Sequence, residues 1–148
     1  MTKADIVSLL SSNLATLTYR NRTARVAVVA WYVPANMQKD YLQNEKADVL
    51  ISVKEAESVS SRFLSTLRVP YTRKTQFEVG VWLLDSPSYA RGEKDVLRDA
   101  AVAEVQRIFK ANPTYGCERG VRNDDHVYGK VWVLSSIVTV QSITESTT

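Results

Sequence analysis

Cysteine and histidine are nearly missing from this chain, and their scarcity closes off much of site chemistry. The 148 residues hold one cysteine, Cys117, and one histidine, His126. A single thiol cannot form an internal disulfide; it neither demands nor excludes a reducing compartment, although folding in the cytosol fits it best. Transition-metal sites gather three or four ligands, chiefly imidazole and thiolate, and this chain supplies one of each. Glycine is also sparse. Its five occurrences never form G-x-G-x-x-G or G-x-x-x-x-G-K-[ST], so no phosphate-cradling loop is present. There is no G-x-S-x-G elbow for a serine nucleophile and no Glu-x-Lys pair of the kind metal-dependent nucleases carry on a strand. Long apolar runs are lacking too. The longest spans Val26 to Val33, less than half of the roughly 20 residues a membrane helix needs. The N-terminal MTKADIVSLL carries an acid at Asp5 and has no apolar h-region or small-residue cleavage site, so it does not read as a signal peptide. No cofactor and no membrane partner are expected.

What is present describes an ordinary globular domain. Apolar residues make up 45% and charged residues 24%, and the length suits one domain with a real core, residues 1–148. The net charge of +3 is mildly basic, well short of a dedicated nucleic-acid binder. Thr2 and Asp5 have capping-box spacing. Ile6, Leu10, Leu14 and Leu17 then recur at helical intervals, with Val7 and Leu9 widening the stripe, which predicts a first helix over Lys3–Leu17. Thr18–Thr23 reads as a polar, basic loop. Arg25–Val33, rich in valine and aromatics with little alternation, predicts a strand buried on both faces and stopped by Pro34. Ala35–Ala47 is a loop or a short surface helix. A second strand starts near Asp48; Ala56–Val69 is then either loop or irregular strand. Thr75, Phe77, Val79, Val81 and Leu83 alternate with more polar neighbours as a third strand, and Asp85-Ser-Pro-Ser is turn chemistry.

Glu93–Lys110 predicts the strongest helix. Leu97, Ala101, Val105 and Ile108 form its apolar stripe, backed by Phe109, while Lys94, Asp95, Arg98, Asp99, Gln106 and Arg107 mark the solvent side. Asn112-Pro113 ends it. Tyr115–Asp125 reads as a loop, Val127–Ile143 as an extended segment bulged at Ser135-Ser136, and Thr144–Thr148 as a fraying tail. The expectation is therefore a single α+β domain: an antiparallel or mixed sheet of four to five strands with two main helices packed on one face.

Three groups of residues bear on function. Asp124-Asp125-His126 could be a metal or catalytic cluster, or a polar turn feeding a strand. If the segment is extended, Asp124 and His126 share a face and Asp125 opposes them; the turn reading is favoured because no further imidazole or thiolate ligand accompanies them. Two stretches mix basic and aromatic residues, Tyr19–Arg25 and Arg68–Lys74. Nucleic-acid backbones and bases need that mixture, and solvated strand ends produce it as well. Trp31, Trp82 and Trp132 each fall in an expected strand. Core packing is one reading; the other is an exposed anchor at a subunit interface, for which Trp82 is best placed, sharing its face with Gln76, Glu78 and Gly80.

The element order resembles the tail-terminator and tail-completion proteins of tailed bacteriophages, the small neck proteins that join a tail to a head. The resemblance spans Asp5 to Gln141. It is carried by the N-terminal amphipathic helix, DVLISVKEAE at Asp48–Glu57, TQFEVGVWLLD at Thr75–Asp85, the helix EKDVLRDAAVAEVQRIF at Glu93–Phe109 and the final IVTVQ at Ile137–Gln141. It implies an antiparallel sheet flanked by helices and a homohexameric ring that ends the tail tube and offers a docking surface to the head connector. The implied partners are further copies of the chain, the tail tube protein and a connector or stopper protein, with DNA only passing through the ring. The implied location is the virion, after assembly in the host cytoplasm. That family has no catalytic motif, so the resemblance implies a structural role and no enzyme. The expected contact elements are Pro34–Ala47, Ser86–Gly92 and Tyr115–Asp125, with Lys39, Tyr41, Trp82, Arg119 and Arg122 as candidate interface residues. The competing class is a small nucleic-acid-binding module using residues 19–25 and 68–74; an enzyme using Asp124 and His126 trails both.

Overall fold

The computed structural model describes residues 2–19, 21–30, 47–62, 70–85, 93–128 and 131–147. Helix α1 covers Lys3–Asn13. Its start is the expected capping box: the Thr2 N–H donates to Asp5 Oδ2 at 2.8 Å, and the Asp5 N–H donates to Thr2 Oγ1 at 3.3 Å. The bond from the Thr2 backbone holds the Asp5 carboxyl below its ordinary pKa. The helix ends four residues earlier than its apolar stripe suggests, because Leu14 turns extended. Leu17 is still buried, delivered by the chain beyond the helix rather than by a further turn.

The segment expected as a basic loop is a two-strand antiparallel hairpin, β1 (Thr18–Tyr19) and β2 (Arg22–Thr23). Asn21 takes φ 60°, the left-handed conformation that asparagine tolerates in tight hairpin turns. Strand β3 (Val26–Val29) follows. It lies parallel to β4 (Val49–Arg62) at one edge of the described sheet, so all four of its residues are half-buried instead of sealed on both faces. Residues 31–33 of the expected strand lie outside the described residues.

Strand β5 runs Pro70–Asp85, β6 Cys117–Asn123, β7 His126–Tyr128 and β8 Val131–Thr147. The sheet is mixed, in the order β3-β4-β5-β8-β6, with β7 also pairing β8. The antiparallel strands β4, β5 and β8 are its centre. Helix α2, Glu93–Ala111, joins α1 on one face. The stripe residues Leu97, Ala101, Val105, Ile108 and Phe109 are all buried there against Val79, Val81 and Val138, together with Ile6 and Leu10 of α1. Each buried Leu, Ile, Val or Phe side chain among them contributes about 1.5–3 kcal/mol relative to exposure. The expected architecture is thus present, with a five-strand path and the short β7 beside it.

Of the two readings of Ala56–Val69, the irregular strand holds for the described part: Ala56–Arg62 continues β4, crossing a pairing irregularity between Glu55 and Glu57. Three expectations are corrected. Most of the expected Tyr115–Asp125 loop is strand β6, Cys117–Asn123. The Ser135-Ser136 bulge is not there: both residues pair in unbroken register with Trp82 and Val81, and the irregularity on this side lies in β6 between Glu118 and Gly120. The C-terminal segment does not fray at Thr144, since Thr144 pairs Arg73 and Thr147 pairs Pro70. In each case backbone pairing with a neighbouring strand compensates for weak local propensity, which single-strand reasoning does not see.

Candidate functional site

The Asp124-Asp125-His126 cluster interrupts a strand. Asn123 pairs Ser136 at the end of β6, and His126 pairs Val133 at the start of β7 (His126–Tyr128). The register is the same on both sides, so β6 and β7 form one line beside β8 with a two-residue gap. Side chains fill the gap. The Asp124 N–H still reaches the Ser135 carbonyl at 3.0 Å. The buried Ser135 N–H, however, donates to Asp125 Oδ1 at 3.0 Å, so a carboxylate replaces a backbone acceptor. The Ser135 hydroxyl donates to the Asp124 carbonyl, and Ser136 Oγ donates to Asn123 Oδ1 at 2.7 Å.

The extended alternation holds. Asp124 and His126 share one face, with His126 Nε2 3.3 Å from Asp124 Oδ2. Asp125 points to the helix face, where Arg98 Nη1 of α2 meets its Oδ1 at 2.8 Å. Arg98 also lies 3.3 Å from Asp95. Placing Arg98 on the solvent side is therefore corrected: it is 7% exposed, drawn under the helix by Asp125. The signal that could have found it is the pairing of an arginine one residue from the apolar stripe with a diaspartate at a strand break. What this arrangement does chemically is fasten α2 to the β6–β7 line. Among the described residues no group of three or more His, Cys, Asp and Glu side chains is placed to hold a metal.

A second polar joint links the helices. Glu104 Oε2 accepts from the Ala15 N–H at 3.0 Å and from Arg107 Nη2 at 3.0 Å. Arg107 Nη2 in turn donates to the Asn13 carbonyl at 2.8 Å. These bonds satisfy backbone groups that the end of α1 leaves without intrahelical partners. The Arg107 hydrogen bond, then the Ala15 N–H, hold the Glu104 carboxyl below the ordinary glutamate pKa, and the same carboxylate raises that of Arg107.

The anchor reading of Trp82 is corrected as well. Its face is the one expected, opposite the helices, but that face carries its own apolar cluster of Leu50, Trp82, Val133 and Ile137. Trp82 is 1% exposed. Its indole lies over Gly80, where an added Cβ would collide with the ring, and Nε1 donates to Ser52 Oγ at 2.9 Å. Trp31 lies outside the described residues. Trp132 is in β8, paired with Asp85.

Of the other candidate interface residues, Arg119 and Arg122 lie on the exposed edge strand β6, and Arg122 sits 3.9 Å from Glu78. Lys39 and Tyr41 lie outside the described residues, as do the contact element Ser86–Gly92 and all but Ala47 of Pro34–Ala47. The two basic-aromatic stretches do not converge. Arg25 adjoins Asp48 at the start of β4, its N–H donating to Asp48 Oδ2 at 2.7 Å. Arg73 pairs with Ser60 near the far end of the same strand, about 40 Å away at the usual rise of a strand. Among the described residues no helix is long and apolar enough to cross a membrane. No protein-family model matches the chain, and no curated protein is significantly similar to it.

Proposed function

We propose that this chain is a structural protein of the head–tail junction of a tailed bacteriophage, working as a homo-oligomeric ring that ends the tail tube and presents a docking surface to the head connector. The observation that carries the reading is the length of the central ladder. Strands β4, β5 and β8 stay paired from Trp82 to Tyr71 of β5, about 35 Å of three-stranded ladder, where an ordinary strand has about five to six residues. A ladder of that length gives a subunit that must reach its neighbours a rigid element. The helices on one face and the antiparallel centre also agree with the architecture that the resemblance implies.

Ring closure needs a heterologous contact whose rotation divides a full turn, six copies being the number the resemblance implies. Exposed charges at such contacts tune association more than stability. Arg119, exposed on β6, and Lys39 are the positions for reversal. Particles produced with Arg119→Glu or Lys39→Glu are expected to show tails of abnormal length, or heads and tails left unjoined, by electron microscopy, while the purified variants keep wild-type circular dichroism. Absence of the protein from purified virions, or normal joined particles after its deletion, would overturn the reading.

A further inference from the structure

We propose that the open edge of β6, with the cleft between it and the C-terminal half of α2, binds an extended acidic segment of a partner protein, which adds to the sheet as a further strand. The inference goes beyond the ring reading and does not depend on it. Strand β6 ends the sheet and pairs only with β8, so its outer edge is unpartnered within the described sheet. Six of its seven residues are exposed and the other is half-buried. An edge of this kind recruits strands through main-chain hydrogen bonds, while pockets beside it select side chains.

Such a pocket is present. A cleft of about 600 Å³ opens between the start of β6 and α2, with Ala103, Phe109 and Pro113 as apolar lining and Arg107, Lys110 and Glu118 as its polar groups. Alternate side chains of an added strand would enter it.

Charge selects the occupant. Two acids near the cleft face arginines: Glu104 lies 3.0 Å from Arg107 and Glu78 lies 3.9 Å from Arg122. Glu118 keeps its charge, since the Gln106 Nε2 that donates to it at 2.8 Å is neutral. Among the described residues, Lys110 and Arg119 have no carboxylate partner. Two such cations against the one carboxylate leave a cationic surplus, and carboxylates on the incoming strand would complement it. A second copy of β6 is the poorer occupant. Self-pairing would bring Arg119 and Arg122 of both strands together, and like charges across a strand pair repel. The irregularity between Glu118 and Gly120 also bends the strand that would have to match itself.

The test uses the full chain and two fluorescein-labelled peptides, one alternating glutamate with valine and one alternating lysine with valine. The glutamate peptide is expected to bind saturably by fluorescence anisotropy, more weakly as salt is raised, and to shift the backbone amide resonances of residues 117–123. The double variant Lys110→Glu/Arg119→Glu is expected to weaken that binding by roughly tenfold or more, with circular dichroism unchanged because both side chains are exposed. The proposal is overturned if the glutamate peptide does not bind, if the lysine peptide binds as well, or if the double variant binds like wild type. It is also overturned if the β6 amides shift with protein concentration alone, which would make a second copy the occupant. Failure here leaves the particle experiment untouched, and normal particles in that experiment leave this one standing.

Discussion

Replacing Asp125 by alanine tests whether the strand break is a fastening. The carboxylate does two jobs through one oxygen, accepting from the buried Ser135 N–H at 3.0 Å and from Arg98 Nη1 at 2.8 Å. Hydrogen bonds to charged groups are worth about 1.5–3 kcal/mol each. The Arg98 side chain is only 9% exposed, but that of Asp125 is 45% exposed, so water takes over part of the lost interaction. Asp95, 3.3 Å from Arg98, also remains. The expected loss for Asp125→Ala is therefore about 2–3 kcal/mol, at or just below the roughly 3 kcal/mol low end of the sum of two such bonds. Asp125→Asn keeps an acceptor for the Ser135 N–H and loses the charge, so it should cost about half as much. Arg98→Met keeps an apolar stem of similar length and removes the guanidinium. A double-mutant cycle between Arg98→Met and Asp125→Ala should then show a coupling of about 1–2 kcal/mol. Urea unfolding followed by far-UV circular dichroism gives each value, provided the slope with denaturant stays constant. A loss within about 0.5 kcal/mol for Asp125→Ala, the range of ordinary surface changes, would refute the reasoning and leave the cluster as a solvated turn.

Two further outcomes follow from the packing and the second polar joint. Ile108, fully buried between α2 and the sheet, should cost about 2–5 kcal/mol when changed to alanine; a loss below roughly 0.5 kcal/mol in the same assay would mean that the helix register is wrong. Glu104 has a folded pKa depressed below the ordinary 4.5 by Arg107 and the Ala15 N–H, so its contribution to stability is present above that value and is lost as pH falls through the folded pKa. Thermal melts of wild type and Glu104→Gln should differ most near neutral pH and converge in acid; a gap that is constant or widens on acidification would show that the carboxylate charge is not what joins α1 to α2.

Amphipathic periodicity made both helices readable, because a stripe at helical spacing has one physical use, burial on one side. The Thr2–Asp5 cap was equally local, with donor and acceptor three residues apart. The alternation in β5 placed Trp82, Glu78 and Gly80 on one face correctly. The burial of Trp82 was another matter: it depends on side chains packed beside it, and Leu50, Val133 and Ile137 come from other strands. The same limit applies to Tyr115–Asp125. Its glycines and charges have loop composition, and it becomes β6 because β8 offers it a ladder.

The polar corner divides in the same way. Extended alternation was enough to set Asp124 and His126 on one face and Asp125 on the other. That Asp125 would replace a backbone acceptor for Ser135 and draw Arg98 out of solvent required the register of β8 and the path of α2. Periodicity is encoded within a few residues, so the chain alone determined its helices, its main strands and the side each presents. Pairing partners, covered faces and edges are relations between segments far apart in sequence, and only the tertiary structure decided them.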